Sequence, residues 1–217
     1  MSYTGEVRRG GPPAVRELTA LTISKLSVGP MDNNAYLLRC RATGEQLLID
    51  AAAEPDRLVA LAGPTGLSTV VTTHRHRDHW SALGAVVAAT GAASLAHERD
   101  ATEIVPITAT LTDADVVSVG DCRLDVIHLV GHTPGSIALL HEDADGTRHL
   151  FTGDSLFPGG VGSTRGDATA FRSLIDDVEQ KLFDRLPDDT WFYPGHGKDS
   201  TLGAERPHLA EWRARGW

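Results

Sequence analysis

Residues 73–80 read THRHRDHW, which sets four metal-ligand side chains, His74, His76, Asp78 and His79, within six residues. The run leading into it, STVVTTH, is rich in β-branched residues, as a buried strand is. On extended backbone alternate side chains share a face, so His74 and His76 point the same way. Asp78 and His79 then fall where the chain turns into a helix. Trp80, Leu83 and Val87 recur at i, i+3 and i+7, and Gly91 is placed to end that helix. Asp78 alone would read as a helix N-cap. That role is compatible with ligation. Neutral imidazole and carboxylate are the usual ligands of zinc and of non-haem iron.

Further along the chain, three more ligand-type residues each follow a strand. His132 lies in GHTPGS after CRLDVIHLV, Asp154 follows HLFTG, and His196 lies in YPGHG after TWFY. Glycines beside each let the backbone bend tightly, and loops at one sheet edge can gather residues from distant parts of the chain. Asp50, ending QLLID, is either a group that orients one of these ligands or a plain strand-end aspartate. His97, His128, His141, His149 and His208 lack such a setting and read as ordinary histidines. Seven donors exceed the four that one zinc takes. They suit two divalent ions about 3.5–4 Å apart, zinc first, with iron or manganese accepted by the same donors. Such a pair carries a hydroxide at neutral pH and stabilises an oxyanion. Asp78 is the candidate catalytic group as well as a ligand. No G-x-S-x-G signals a serine nucleophile.

The rest of the chain reads as one domain over residues 17–217, after Gly/Pro/Arg-rich residues 1–16 that read as a tail or loosely packed arm. LTISKLSV, AYLLRC, QLLID and SIALLHE are strand candidates, Pro55 opens a short helix to Ala62, and Phe171, Leu174, Ile175, Val178 and Leu182 make one apolar helical stripe. Cys40 and Cys122, in strand-like runs, are expected as free buried thiols. The net charge of −9 with no Lys/Arg stripe argues against nucleic acid. The uncharged stretch 80–96 is interrupted by Gly84, Thr90 and Gly91, so it reads as a helix followed by a strand rather than a membrane span. Arg8 and Arg9 have no apolar run behind them, so no secretory signal is expected. A cytoplasmic protein with a small-molecule substrate is the expectation. Nothing in the sequence specifies an oligomeric state.

The order HxHxDH, GHTPGS, TGDSLF, YPGHG, with MDNNAYLL and LLIDAA upstream, resembles the metallo-β-lactamase superfamily, in particular its short, single-domain glyoxalase II-like branch. The likeness runs from about Leu21 to about Leu202. It implies an α+β fold, a four-layer αββα sandwich of two mixed sheets with the metals at one sheet edge. Carried over by motif, His74, His76 and His132 would hold the first metal and Asp78, His79 and His196 the second. Asp154 would bridge them together with the attacking hydroxide. The implied activity is hydrolysis of a small thioester, or of a related ester or lactone.

Three departures qualify the resemblance. Glyoxalase II proper continues into a helical domain that helps bind glutathione, whereas 21 residues follow His196 here, so glutathione is not implied. GGVGSTRGD differs from the Gly-Arg-Thr/Ser-Asp stretch common after the bridging aspartate. Asp154 stands where a zinc β-lactamase of the familiar type has cysteine. The competing reading is a persulfide dioxygenase-like oxidoreductase with one iron on His74, His132 and Asp154. Those enzymes tend to read Pro-Ala-His-Asp where this chain has Pro-Gly-His-Gly, which favours hydrolysis. Phosphodiester cleavage, also known on this fold, is disfavoured by the missing basic patch.

Overall fold

The computed structural model describes residues 3–216. β1 (Ala14–Glu17), β2 (Leu21–Val28), β3 (Asn33–Cys40), β4 (Gln46–Ile49), β5 (Thr69–Thr72), β6 (Ala93–His97) and β7 (Ala109–Leu111) form one sheet in chain order. β1 to β4 pair antiparallel through short turns. β4 to β7 pair parallel. Parallel neighbours need a crossover, and α1 (Pro55–Ala62), α2 (Leu83–Thr90) and α3 (Glu98–Ala101) supply it.

The second sheet uses β8 (Val116–Val119), β9 (Cys122–His128), β10 (Ile137–Glu142) and β11 (Arg148–Gly153), then β14 (Trp191–Pro194) and β15 (Ser200–Thr201). Its order is β15-β14-β11-β10-β9-β8, with β11 and β14 parallel and the other pairs antiparallel. Between β11 and β14 lie the hairpin β12 (Leu156–Phe157) and β13 (Gly160–Val161) and the helix α4 (Ala168–Asp177), which runs on as a π turn through Phe183. α5 (Leu202–Glu205) and α6 (Leu209–Arg215) follow.

Strand periodicity sorts the core into three layers. Leu21, Ile23, Tyr36, Leu38, Leu47, Ile49 and Val71 from the first sheet meet Leu124, Val126, Leu139, Phe151 and Tyr193 from the second. Their neighbours on the other face, Leu26, Val28, Leu37, Leu48 and Val70, pack under α1 and α2 with Leu58, Leu83 and Val86. Leu150 and Phe192 pack under Phe171, Leu174, Ile175, Val178, Leu182 and Trp212. Three apolar interfaces separate four layers: helices, sheet, sheet, helices. The sandwich is the one expected, and both sheets are mixed. Cys40 and Cys122 are free and buried in the middle interface.

Two local expectations are corrected. The helix expected from Asp78 begins only at Leu83; Arg77–His79 is a 3₁₀ turn, and Asp78 lies inside it, so it caps no helix. The end of α2 is as read, with Gly91 left-handed and its N–H on the Val87 carbonyl. The arm over residues 1–16 is not loose in its described part. Ala14–Glu17 pairs with β2, and the Tyr3 hydroxyl donates to Asp199 Oδ2 at 2.9 Å. Buried Lys25 explains the anchorage. Its ammonium donates to Gly5 O at 2.9 Å, Gly197 O at 2.8 Å and Asp199 Oδ1 at 2.6 Å, and an ion inside a core needs such partners. Among the described residues no helix is long and apolar enough to cross a membrane.

Candidate metal centre

Four strand ends supply the cluster. The chain leaves β5 through Thr73 and His74 into the turn holding Asp78 and His79; loops after β9, β11 and β14 carry His132, Asp154 and His196. The loops are tied by backbone bonds: Gly195 N donates to Gly153 O at 2.8 Å, and Asn34 N to Gly195 O at 2.7 Å. Glycine is required at position 195, because a Cβ there would lie 2.2 Å from Asp154 Oδ1 and 2.6 Å from His79 Cε1.

All seven residues read from the sequence come together. One nitrogen of each imidazole faces inward. His74 Nε2 lies 3.1 Å from His76 Nδ1 and 3.3 Å from His132 Nε2. On the other side His79 Nε2 is 3.3 Å from His196 Nε2 and 3.6 Å from Asp78 Oδ2. Asp154 sits between the two groups, 3.4 Å from His79, 3.7 Å from His132 and 3.6 Å from His196. The donor atoms fall into three overlapping triads, His74/His76/His132, His74/His79/Asp154 and Asp78/His79/His196, each spanning no more than 4.8 Å.

The outer nitrogens show why the inner ones point as they do. His79 Nδ1 meets Asp50 Oδ2 at 2.7 Å, His132 Nδ1 meets Ser163 O at 2.9 Å, and His196 Nδ1 meets Met31 O at 3.0 Å. Such partners fix ring orientation and tautomer. Asp50 is thus the orienting group rather than a plain strand end. It also accepts from the Thr73 N–H and hydroxyl, both at 2.8 Å. Asn33, in the MDNNAYLL segment, joins the site although nothing in its spacing marks it as a ligand. Its amide donates to Asp78 Oδ2 at 2.8 Å. Phe157 lies beside His196 with ring centroids 6.5 Å apart, whereas Trp80 packs with the α1–α2 layer and Trp191 packs on Tyr3.

Burial, and the other imidazoles around it, hold His74 well below its ordinary pKa. Burial lowers His76 and His132 too, against the pull of Asp154. These three are neutral near pH 7, as ligands must be. Burial also opposes charge on His79 and His196, but Asp50 and Asp154 outweigh it at His79, and Asp78 and Asp154 at His196, so both are raised. The hydrogen bond with His196 holds Asp78 well below the usual carboxylate range. Asp154 is lowered as well: burial pushes it up, but His79 and the other imidazoles prevail. Its Oδ1 is buried with no hydrogen-bond partner among the described residues. A buried anionic oxygen left without a donor is costly unless a cation meets it. The donor set and this orphaned atom fit divalent metal.

The family model of the metallo-beta-lactamase superfamily matches residues 28–196. A hydroxyacylglutathione hydrolase of Polaromonas sp. (strain JS666) is 37% identical over 169 residues, 76% of this chain and 62% of that protein. A protein of the same name from Rhodospirillum rubrum is 35% identical over 146 residues, 67% of this chain and 56% of that one. The chain therefore spans about three fifths of the length of these curated relatives. Among solved structures, ETHE1 from Myxococcus xanthus superposes with a TM-score of 0.77 at 30% identity, over 88% of this chain and 84% of that one. The di-iron-bound form of TTHA1623 gives a TM-score of 0.68 at 31% identity, over 84% and 96%. With that match over residues 28–196 and a sandwich of two mixed sheets between helices, the chain belongs to the metallo-β-lactamase superfamily.

Proposed function

We propose that this chain is a metal-dependent hydrolase of a small thioester, with a related ester or lactone as variants, and that it works with two divalent ions. The observation that carries the reading is the convergence of five inward-facing imidazole nitrogens and two carboxylates. The names of the curated relatives support the thioester. His74, His76 and His132 would hold one ion, Asp78, His79 and His196 the other, and Asp154, between the two groups, would touch both. When bound, the ions lower the pKa of water toward neutrality and stabilise the negative charge that develops on an attacked carbonyl.

The protein's part is preorganisation. Asp50 holds the His79 ring, Asn33 holds Asp78, and Gly195 leaves room for Asp154. Asp78 stays ionised throughout the neutral range, so as a catalytic group it contributes charge and orientation. A carboxylate so acidic is a poor proton acceptor. Zinc remains the first choice of metal on chemical grounds, and the di-iron form of TTHA1623 makes iron the next.

Elemental analysis of the purified protein, paired with assays on lactoylglutathione, simpler thioesters and lactones, tests the reading. Two metals per chain and chelator-sensitive turnover of at least one thioester are expected. No turnover above buffer on any substrate would end it. One iron per chain with oxygen uptake on glutathione persulfide would replace it with the oxidoreductase alternative on His74, His132 and Asp154.

A further inference from the structure

The triad His74/His76/His132 straddles the sandwich. His74 and His76 come from the segment after β5 in one sheet, and His132 from the loop after β9 in the other. Ligands from separate sheets keep one geometry only if their loops are fixed against each other. Asp100, in α3, makes that connection. Its carboxylate is fully buried. Oδ2 accepts from the Arg75 N–H at 2.9 Å, and Arg75 is the residue between His74 and His76. The same oxygen accepts from the Thr133 hydroxyl at 2.5 Å, and Thr133 directly follows His132. Oδ1 takes the Gly135 N–H at 2.9 Å.

These contacts leave little slack. A Cβ on Gly135 would lie 2.7 Å from Asp100 N, so glycine lets the His132 loop lie directly on α3. Thr133 has one hydroxyl proton, and a carboxylate can only accept it. The Ser136 hydroxyl, 2.7 Å from Thr133 Oγ1, therefore donates back to Thr133, while its oxygen takes the Thr133 N–H at 3.2 Å. No Lys or Arg side chain pairs with Asp100 among the described residues, so the three donors alone meet its buried charge. A backbone bond from Ile137 N to Thr73 O, 3.0 Å, joins the same two segments on the strand side of the ligands. Asp100 joins them beyond it. The other triad is steadied by different groups: Asn33 on Asp78, Asp50 on His79 and Met31 O on His196.

We infer that Asp100 is a positioning residue for the ion held by His74, His76 and His132, fixing the spacing of the two ligand loops through Arg75, Thr133 and Gly135. The inference rests on the metal reading proposed above and assigns this carboxylate to one ion of the pair.

The test challenges the zinc-loaded protein with a chromophoric chelator, which removes the ions in order of affinity. His132→Ala and His196→Ala, each lacking a ligand of one triad, identify the two steps. In Thr133→Val, which keeps the shape and loses the hydroxyl, the step altered in His132→Ala is expected to weaken about 10- to 100-fold. The step altered in His196→Ala is expected to stay as in wild type. Asp100→Asn is expected to act in the same direction, and Thr133→Ser, which keeps the hydroxyl, to restore the wild-type curve. If Asp100→Asn fails to fold by circular dichroism, the two Thr133 variants decide. Both steps unchanged in every folded variant would show that the contacts position nothing and would overturn the inference. Both steps weakened alike would overturn it too, since the contacts would then serve the fold at large. A selective loss upholds it even when no thioester is turned over, which ends the hydrolase reading alone. If wild type releases a single ion, the two-ion reading ends, and the affinity of that ion in Thr133→Val and Thr133→Ser decides the inference.

Discussion

Asp50 reaches a ligand ring directly through the 2.7 Å bond to His79 Nδ1, while its bonds from Thr73 hold it in place. Asp50→Asn keeps the shape and removes the charge, so metal affinity is expected to fall about 10- to 100-fold, measured by competition with a chelating dye. An affinity equal to wild type would show that the contact orients nothing. His149 tests a residue away from the site. Its Nδ1 meets the Tyr193 hydroxyl at 3.0 Å in the core, and burial, aided by Arg16, lowers its pKa to about 4. The folded state therefore refuses a proton that the unfolded chain accepts below its ordinary value, and stability drains away as pH falls from about 6.5 to about 4. His149→Gln is expected to lose less stability over that window than wild type, by on the order of 2 kcal/mol, in urea unfolding at the two pH limits. Residues of both kinds show what the sequence can reveal. His74, His76 and His79 were legible because ligand types repeat at ligand spacing. Asn33 was not, since an amide that steadies a carboxylate has no spacing of its own.

At the level of elements, the site exists because strands stop where glycine and polar residues take over. β11 ends at Gly153 and β14 at Pro194, and the next residues are Asp154 and the Gly195–His196 pair. Those strand ends could be read in advance, and so could the apolar stripe of α4. The helix after His79 was misjudged by several residues. A period of 3.6 marks Trp80, Leu83 and Val87 whether or not the first of them is helical, and Asp78, held by Asn33 and His196, sits in the 3₁₀ turn that precedes the helix. α4 starts where it does because Asp167 accepts from Thr169 N at 2.8 Å and Ala170 N at 3.0 Å. Asp167→Ala, which removes this cap, is expected to lower the midpoint of chemical denaturation. The same cap anchors the loop before the helix, so a silent substitution would mean the loop is held by its other contacts alone.

Across the whole molecule, the sandwich was legible from alternation: Leu47 and Ile49 face the second sheet while Leu48 faces the helices. The packing of the N-terminal arm was not, because a Gly/Pro/Arg-rich run looks the same whether it is free or pinned by a partner far away in sequence. That partner is Lys25 with Asp199. Burial lowers the lysine and raises the aspartate, each opposed by the other's charge. Lys25→Met, which strands a buried carboxylate, is expected to cost about 3–5 kcal/mol. The double variant Lys25→Met/Asp199→Leu should recover much of that loss in the same urea titration. A double variant as unstable as the single one would mean that the pair's geometry, rather than its charge balance, sustains the fold.

The partners of Lys25, at Gly5, Gly197 and Asp199, also set an order of events during synthesis. A nascent chain still on the ribosome holds β2 and its ammonium long before residue 199 emerges. Until then, sealing the first sheet against the second would trap a cation with no counter-charge. Closure of the sandwich, and with it delivery of His196 to the other imidazoles, is therefore expected to wait until residue 199 has emerged.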